Sequence, residues 1–223
     1  MRAPVTAAPR QLALGLLQPP ARTLDNFVPG RNAEALAAAR ELAAGRGPQF
    51  VYFWGPFGCG RTHLLVALAG GIPGCDWKGP SGLYAVDDVH QFDESDQSRL
   101  FALMNEVRAD PAARLVAAGD RPPAQLPLRE DVRTRLAWGL ALALQPLSEQ
   151  DKADALSSQL AARGVRAAPD LIAYMLSRLP RDMRTLAAAL AELDAYALEQ
   201  GRALTVPLLR QWLHAQTGKM ADE

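Results

Sequence analysis

The chain has 223 residues, 49% of them hydrophobic and 22% charged, which suits one large domain or a core with a smaller helical appendage and excludes wholesale disorder. Lys+Arg and Asp+Glu both number 24, so no global charge draws the protein to nucleic acid or anionic lipid. Two cysteines exclude a disulfide scaffold and a four-cysteine zinc site, and no apolar run approaches the ~20 residues of a membrane span, so a soluble cytoplasmic protein is expected.

Residues 1–22 carry Pro4, Pro9, Pro19 and Pro20 among many alanines and read as a flexible arm with one sticky segment, Gln11 to Leu17. Its spaced residues Gln11, Leu12, Leu14 and Leu16 can enter a partner's pocket as an extended peptide. An Ala-rich helix is expected from Asn32 to Leu42, ended by Gly45 and Gly47. Phe50 to Trp54 is continuously apolar and rich in aromatic and β-branched residues, the pattern of a buried strand. A glycine-rich loop follows, then a helix from about Thr62 to Ala69.

Gly70 to Gly82 reads as loop, and Leu83 to Val86 as a second buried strand ending in Asp87 and Asp88. A helix over Ser95–Arg108 places Leu100, Leu103, Met104 and Val107 on one face. Leu115–Ala118 is a third strand, Glu130–Leu136 a short helix, and Leu140–Leu144 a fourth strand. Alternation of strands and helices predicts a parallel α/β sheet. Beyond Pro146 only helices are expected: Ser148–Gln159, with Ser148 as N-cap, then Pro169–Leu179, Arg181–Gln200 and Pro207–Gln216. The expected organisation is therefore an arm (1–22), an α/β nucleotide-binding core (23–146) and a four-helix lid (147–223).

The strongest chemical signal is Gly55-Pro56-Phe57-Gly58-Cys59-Gly60-Arg61-Thr62 between a strand and a helix. This is the phosphate-binding loop pattern with arginine in the lysine position. Glycines let successive backbone N–H groups turn toward a phosphate, and the following helix adds its positive end. Arg61 keeps the charge but offers a planar fork, which predicts retained nucleotide binding with weak self-hydrolysis. Drift in a chain with 21 arginines and three lysines would leave the same charge there. Thr62 and Asp87 are the candidate Mg²⁺ residues, with Asp88 where an ATPase orients its attacking water. Asp120 ends the third strand, beside the ligand crevice of an open sheet. Arg133 and Arg135 precede Trp138-Gly139 and are candidates for an arginine finger; Arg181 and Arg184 could fold back on phosphates from the lid. The histidines His63, His90 and His214 show no metal-ligand spacing.

Taken together these residues resemble the AAA+ family of bacterial replication initiators, and within it the family of short Hda regulators. The resemblance runs from Thr23 to about Gln216. Leu24 to Gly30 is similar to the family's entry segment, which implies that Phe27 and Val28 pack on the nucleotide base. Gly60 to Leu65, which includes His63, matches the Hda pattern with arginine for lysine. Gly119 to Pro123 resembles sensor 1 and implicates Asp120. The run Arg135 to Gly139 resembles box VII and makes Arg135 the implied finger, acting in trans. Met183 to Leu186 resembles sensor 2 and implicates Arg184. The arm hexapeptide is similar to a sliding-clamp-binding motif, with Gly15 where proline is usual.

What this resemblance implies is an AAA+ protein binding ADP or ATP with Mg²⁺, tethered to the DNA polymerase III sliding clamp, that promotes ATP hydrolysis by DnaA. DNA would be contacted only through the clamp, no membrane partner is expected, and a homodimer is possible. Between Thr62 and Asp87 only residues 63–86 are available, too few for the family's full strand–helix insertion, so a four-stranded sheet without the usual edge strand is expected. The other readings are a self-assembling, helicase-loader-like ATPase, a small-molecule kinase and a scaffold that binds no nucleotide.

Overall fold

The structure is a computed structural model that describes residues 21–69, 82–180 and 182–219, with side chains as far as residue 215. Four strands, β1 (Phe50–Trp54), β2 (Leu83–Val86), β3 (Arg114–Gly119) and β4 (Leu140–Ala143), form one parallel sheet in the order β2-β3-β1-β4. The expected strand Leu140–Leu144 is one residue shorter, and β3 is longer than expected at both ends. The expected loss of an edge strand concerns residues 70–81, which lie outside the described residues.

Strand β1 is central because both its faces are apolar. Side chains alternate along a strand, so Val51 and Phe53 join one core with Leu36, Leu64, Leu65 and Leu144. Phe50 and Tyr52 join the other with Leu100, Met104, Val107 and Val132. Helices α1 (Ala33–Ala43) and α2 (Arg61–Ala69) supply the first core; α3 (Glu94–Ala109) and α4 (Glu130–Leu136) supply the second. Val51 pairs in register with Val116 on one side and Leu140 on the other, so the C-terminal end of β1 opens between β3 and β4. That is the position at which an open α/β sheet offers a ligand crevice.

Helix α3 starts one residue earlier than Ser95 because Asp93 is its N-cap, its carboxylate accepting from the Asp96 N–H at 2.9 Å. The other α-helices among the described residues are α5 (Glu149–Ala162), α6 (Leu171–Arg178), α7 (Met183–Gln200) and α8 (Val206–Lys219). They share a third core in which Leu156, Leu171, Met175, Leu186, Leu193, Leu208 and Leu209 are fully or almost fully buried. Ser148 caps α5 as the sequence predicts, with Asp151 completing a capping box. Asp182 caps α7, which therefore begins after Arg181, and Gly201 ends it in the left-handed conformation. None of the helices in the described residues is long and apolar enough to cross a membrane.

Candidate functional site

The loop 55–60 leaves the end of β1 and enters α2 directly. Gly55 donates its N–H to the Gly119 carbonyl at 3.3 Å, while Leu144 donates to Trp54 at 2.6 Å, so the loop is anchored between β3 and β4. A Cβ at Gly55 would lie 2.3 Å from the Leu144 carbonyl oxygen, and only glycine fits there. Gly60 has φ +104°, and a Cβ there would lie 2.7 Å from the Phe27 ring. Glycine supplies both the backbone conformation and the close approach. Phe57 stands at the tip, 90% exposed, whereas Cys59 is buried and its thiol is pushed above its ordinary range by that burial.

Arg61 opens α2 and is the charged centre of the site. It is only 8% exposed. Its Nη2 lies 3.5 Å from Asp88 Oδ1, and its Nη1 is buried with no hydrogen-bond partner. A buried guanidinium nitrogen left unbonded is costly unless an anion completes it. The glycine loop, the start of α2 and this orphaned donor fit a phosphate group. Thr62 follows, half-buried at the same helix start.

Asp87 and Asp88 leave β2 toward this point. Asp87 Oδ1 accepts the Asp88 N–H at 2.8 Å, and Asp88 adopts left-handed backbone at φ +48°. Burial and the neighbouring Asp87 carboxylate raise the Asp88 pKa against the opposing pull of Arg61 and His90. The His90 Nδ1 is 3.9 Å from Asp88 Oδ1, buried and without a hydrogen bond. No cluster of three His, Cys, Asp or Glu side chains suited to hold a metal occurs among the described residues.

The entry segment covers the other side of the loop. Phe27 is 7% exposed and meets His63 edge-on at 5.3 Å between ring centres, while the His63 Nε2 is 2.9 Å from the Thr23 carbonyl oxygen. Burial lowers the His63 pKa. Val28 is half-buried beside them in the chain. Asp120 sits at the end of β3, its carboxylate forked by Arg121 at 2.8 and 2.6 Å and held below the usual carboxylate range by that bond. Tyr52 supports this corner from below, donating its hydroxyl to the Arg121 carbonyl at 2.9 Å.

Arg135 is folded onto its own subunit. Its guanidinium lies 4.0 Å from the Phe101 ring centre and 5.0 Å from that of Trp138, and Nη1 donates to the Asp131 carbonyl at 2.9 Å. Arg133 donates to the Ala124 carbonyl at 3.3 Å. Arg184 is exposed in the first turn of α7, without an ion pair to another described residue. Gln11, Leu12, Leu14 and Leu16 lie outside the described residues, as does Arg181.

The structure thus gathers Phe27, His63, Gly55–Thr62, Asp87, Asp88 and Asp120 around the end of β1, and leaves Arg135 half-buried against Phe101. Sequence reasoning missed Phe101, whose contact with Arg135 crosses between α3 and α4. It also missed Asn32, which is 4% exposed and holds both backbone groups of Gln145. The only signal for Asn32 was a polar residue at a helix start, which reads as an ordinary cap. Its side chain makes no cap bond.

Comparison with known proteins agrees with this architecture. Residues 149–213 match the family model described as "Hda, lid domain". Domain III of the replication initiation protein DnaA from Thermotoga maritima superposes with a TM-score of 0.69 at 21% identity, covering 88% of this chain and 97% of that one. AMPPCP-bound DnaA from Aquifex aeolicus gives 0.63 at 19% identity, over 83% of this chain and 68% of that one. A RuvB mutant from Thermotoga maritima gives 0.64 at 16% identity, over 90% and 73%. At these identities the structural likeness establishes the fold, and the match over 149–213 assigns the lid. The chain therefore shares its fold with these proteins, and its residues 149–213 are similar to the Hda lid domain.

Proposed function

We propose that the protein is a regulator of DNA replication initiation that holds an adenine nucleotide, ADP or ATP with Mg²⁺, and stimulates ATP hydrolysis by DnaA. The observation that carries the nucleotide reading is the buried Nη1 of Arg61, unbonded at the mouth of a glycine loop and the start of a helix. Gly55, Pro56, Phe57, Gly58, Cys59 and Gly60 present backbone to the phosphates, Arg61 supplies charge, and Thr62 with Asp87 holds the metal. Phe27, Val28 and His63 face the base, while Asp120 and Arg184 approach the phosphates from β3 and the lid. Mg²⁺ would neutralise phosphate charge. The AMPPCP complex of the Aquifex DnaA, which shares this fold, supports the choice of nucleotide.

The regulatory step rests on Arg135. In trans, its guanidinium would meet the negative charge that develops on the γ-phosphate of the partner's ATP, an effect worth about 10³–10⁵ in rate for such fingers. To reach it, Arg135 must leave Phe101, Trp138 and the Asp131 carbonyl, at a cost of about 0.5–1 kcal/mol for each accessible cation–π contact. Gln11, Leu12, Leu14 and Leu16 would recruit the protein to the DNA polymerase III sliding clamp, so that DNA is met only indirectly. The core at 23–146 would bind nucleotide and the lid at 147–223 would set the angle at which Arg135 is presented.

The test is single-turnover hydrolysis of DnaA-bound ATP with and without this protein and clamp loaded on DNA. Acceleration that disappears with Arg135→Ala and with deletion of 11–16 supports the reading. No acceleration by the wild-type protein contradicts it, and robust turnover by the protein alone would favour a self-assembling ATPase.

A further inference from the structure

The buried amide of Asn32 stands apart from every role assigned above. It opens α1 as the residue in the N-cap position, yet its side chain turns away from the helix. Its Nδ2 donates to the Gln145 carbonyl at 2.8 Å and its Oδ1 accepts the Gln145 N–H at 2.8 Å. This two-point clasp holds the backbone where β4 ends and the chain turns toward α5. A side-chain amide that copies a strand partner in this way fixes the two peptide units that flank Gln145.

The same short segment touches the site at one end and the lid at the other. Phe27 fills the space in front of Gly60, at 2.7 Å from where a Cβ would stand. Gly30 lies against the lid entry, where its Cβ would be 2.9 Å from Leu147 Cδ2 and 3.2 Å from Asp151 Oδ2. That Asp151 oxygen is the atom that closes the capping box of α5, accepting from the Ser148 N–H at 2.9 Å. Phosphate loop, Phe27, Gly30, Asn32, Gln145 and the start of α5 therefore form one contiguous chain of contacts.

We propose that Asn32 is the positioning residue that couples nucleotide occupancy of the loop to the orientation of the lid. The inference rests on the nucleotide reading and names the residue through which occupancy is transmitted. Ordering of the loop by phosphate fixes Phe27 against Gly60, and the entry segment then holds Gln145 through the Asn32 amide. Asn32 touches neither nucleotide nor partner in this account.

Amide hydrogen exchange, read by mass spectrometry with and without ADP–Mg²⁺, tests it on the full chain. In the wild type, ADP slows exchange over 55–64 and over 144–152, by about fivefold or more at the second segment. In Asn32→Ala, ADP slows 55–64 as before, while 144–152 keeps its nucleotide-free rate. Asn32→Asp, which keeps the acceptor for the Gln145 N–H and loses the donor, gives an intermediate slowing and serves if the alanine variant folds poorly. A merely structural Asn32 would change exchange at 144–152 equally with and without ADP and overturn the inference. So would wild-type protection of that segment in both variants. Wild-type exchange unaffected by ADP at both segments would instead overturn the nucleotide reading itself, and this inference with it.

Discussion

Arg61 and its neighbours show how one residue choice shapes the site. In this structure the Asp88 carboxylate, 3.5 Å from Nη2, competes with a phosphate at the unbonded Nη1 for the charge of Arg61. Asp88→Asn therefore raises the affinity for Mg²⁺-free ADP by about two- to fivefold, the worth of a partly exposed ion pair; equal affinity by titration calorimetry would deny the competition. His63 makes a second prediction at this scale. Burial lowers its folded pKa below the ordinary 6.5. The unfolded chain takes up the proton first on acidification, so the contribution of His63 is complete above 6.5 and declines as the pH falls below it. The melting temperature should accordingly drop between pH 7.5 and 5.5, and His63→Gln should flatten that slope. A slope unchanged in the variant would place the titration elsewhere.

Elements carry the next level of the account. Ser148 ties the first turn of α5, its hydroxyl accepting from the Asp151 N–H at 3.1 Å while Asp151 accepts in return. Ser148→Ala should cost about 1 kcal/mol, seen as faster amide exchange across the first turn of α5 and a lower melting temperature. A variant as stable as the wild type would remove the capping box from the account. Helices α3 and α4 make a different prediction, because Phe101 on one stacks with Arg135 on the other at 4.0 Å. Phe101→Leu keeps apolar volume but removes the ring. On the proposed function it should leave the maximal acceleration of DnaA intact and lower the protein concentration needed for half of it by no more than about fivefold. Loss of acceleration would instead assign Phe101 to holding Arg135 in its working position.

Which features were legible in the sequence follows from the same distinction of scale. Strand β1 was plain in the residues because it is buried on both faces, and the glycine loop because its glycines have the spacing that a phosphate cradle would require. Ser148 was legible as a cap, whereas Asp93 was not, since Ser95 two residues on offers a similar signal. The clasp between Asn32 and Gln145 had no signature: its far side is backbone, and any residue could stand at 145. The stack of Arg135 on Phe101 depends on how two helices meet, which no local pattern encodes.

Across its described residues the neutral chain separates into three apolar clusters, two on opposite faces of the sheet and one among α5–α8. The glycine loop lies where the sheet opens, and the entry segment lies against both the loop and the lid's first turn. On the proposal above, that arrangement would give a bound anion leverage over the helical part of the protein. The nucleotide reading turns on one place, the glycine loop around Arg61. Titration calorimetry of ADP–Mg²⁺ into the wild type and Arg61→Ala, with both folds checked by circular dichroism, tests that place directly. Saturable one-to-one binding by the wild type and at least about a tenfold loss in the variant are expected for removal of charged hydrogen bonds. Equal binding by the two proteins, or none by the wild type, would contradict the nucleotide reading.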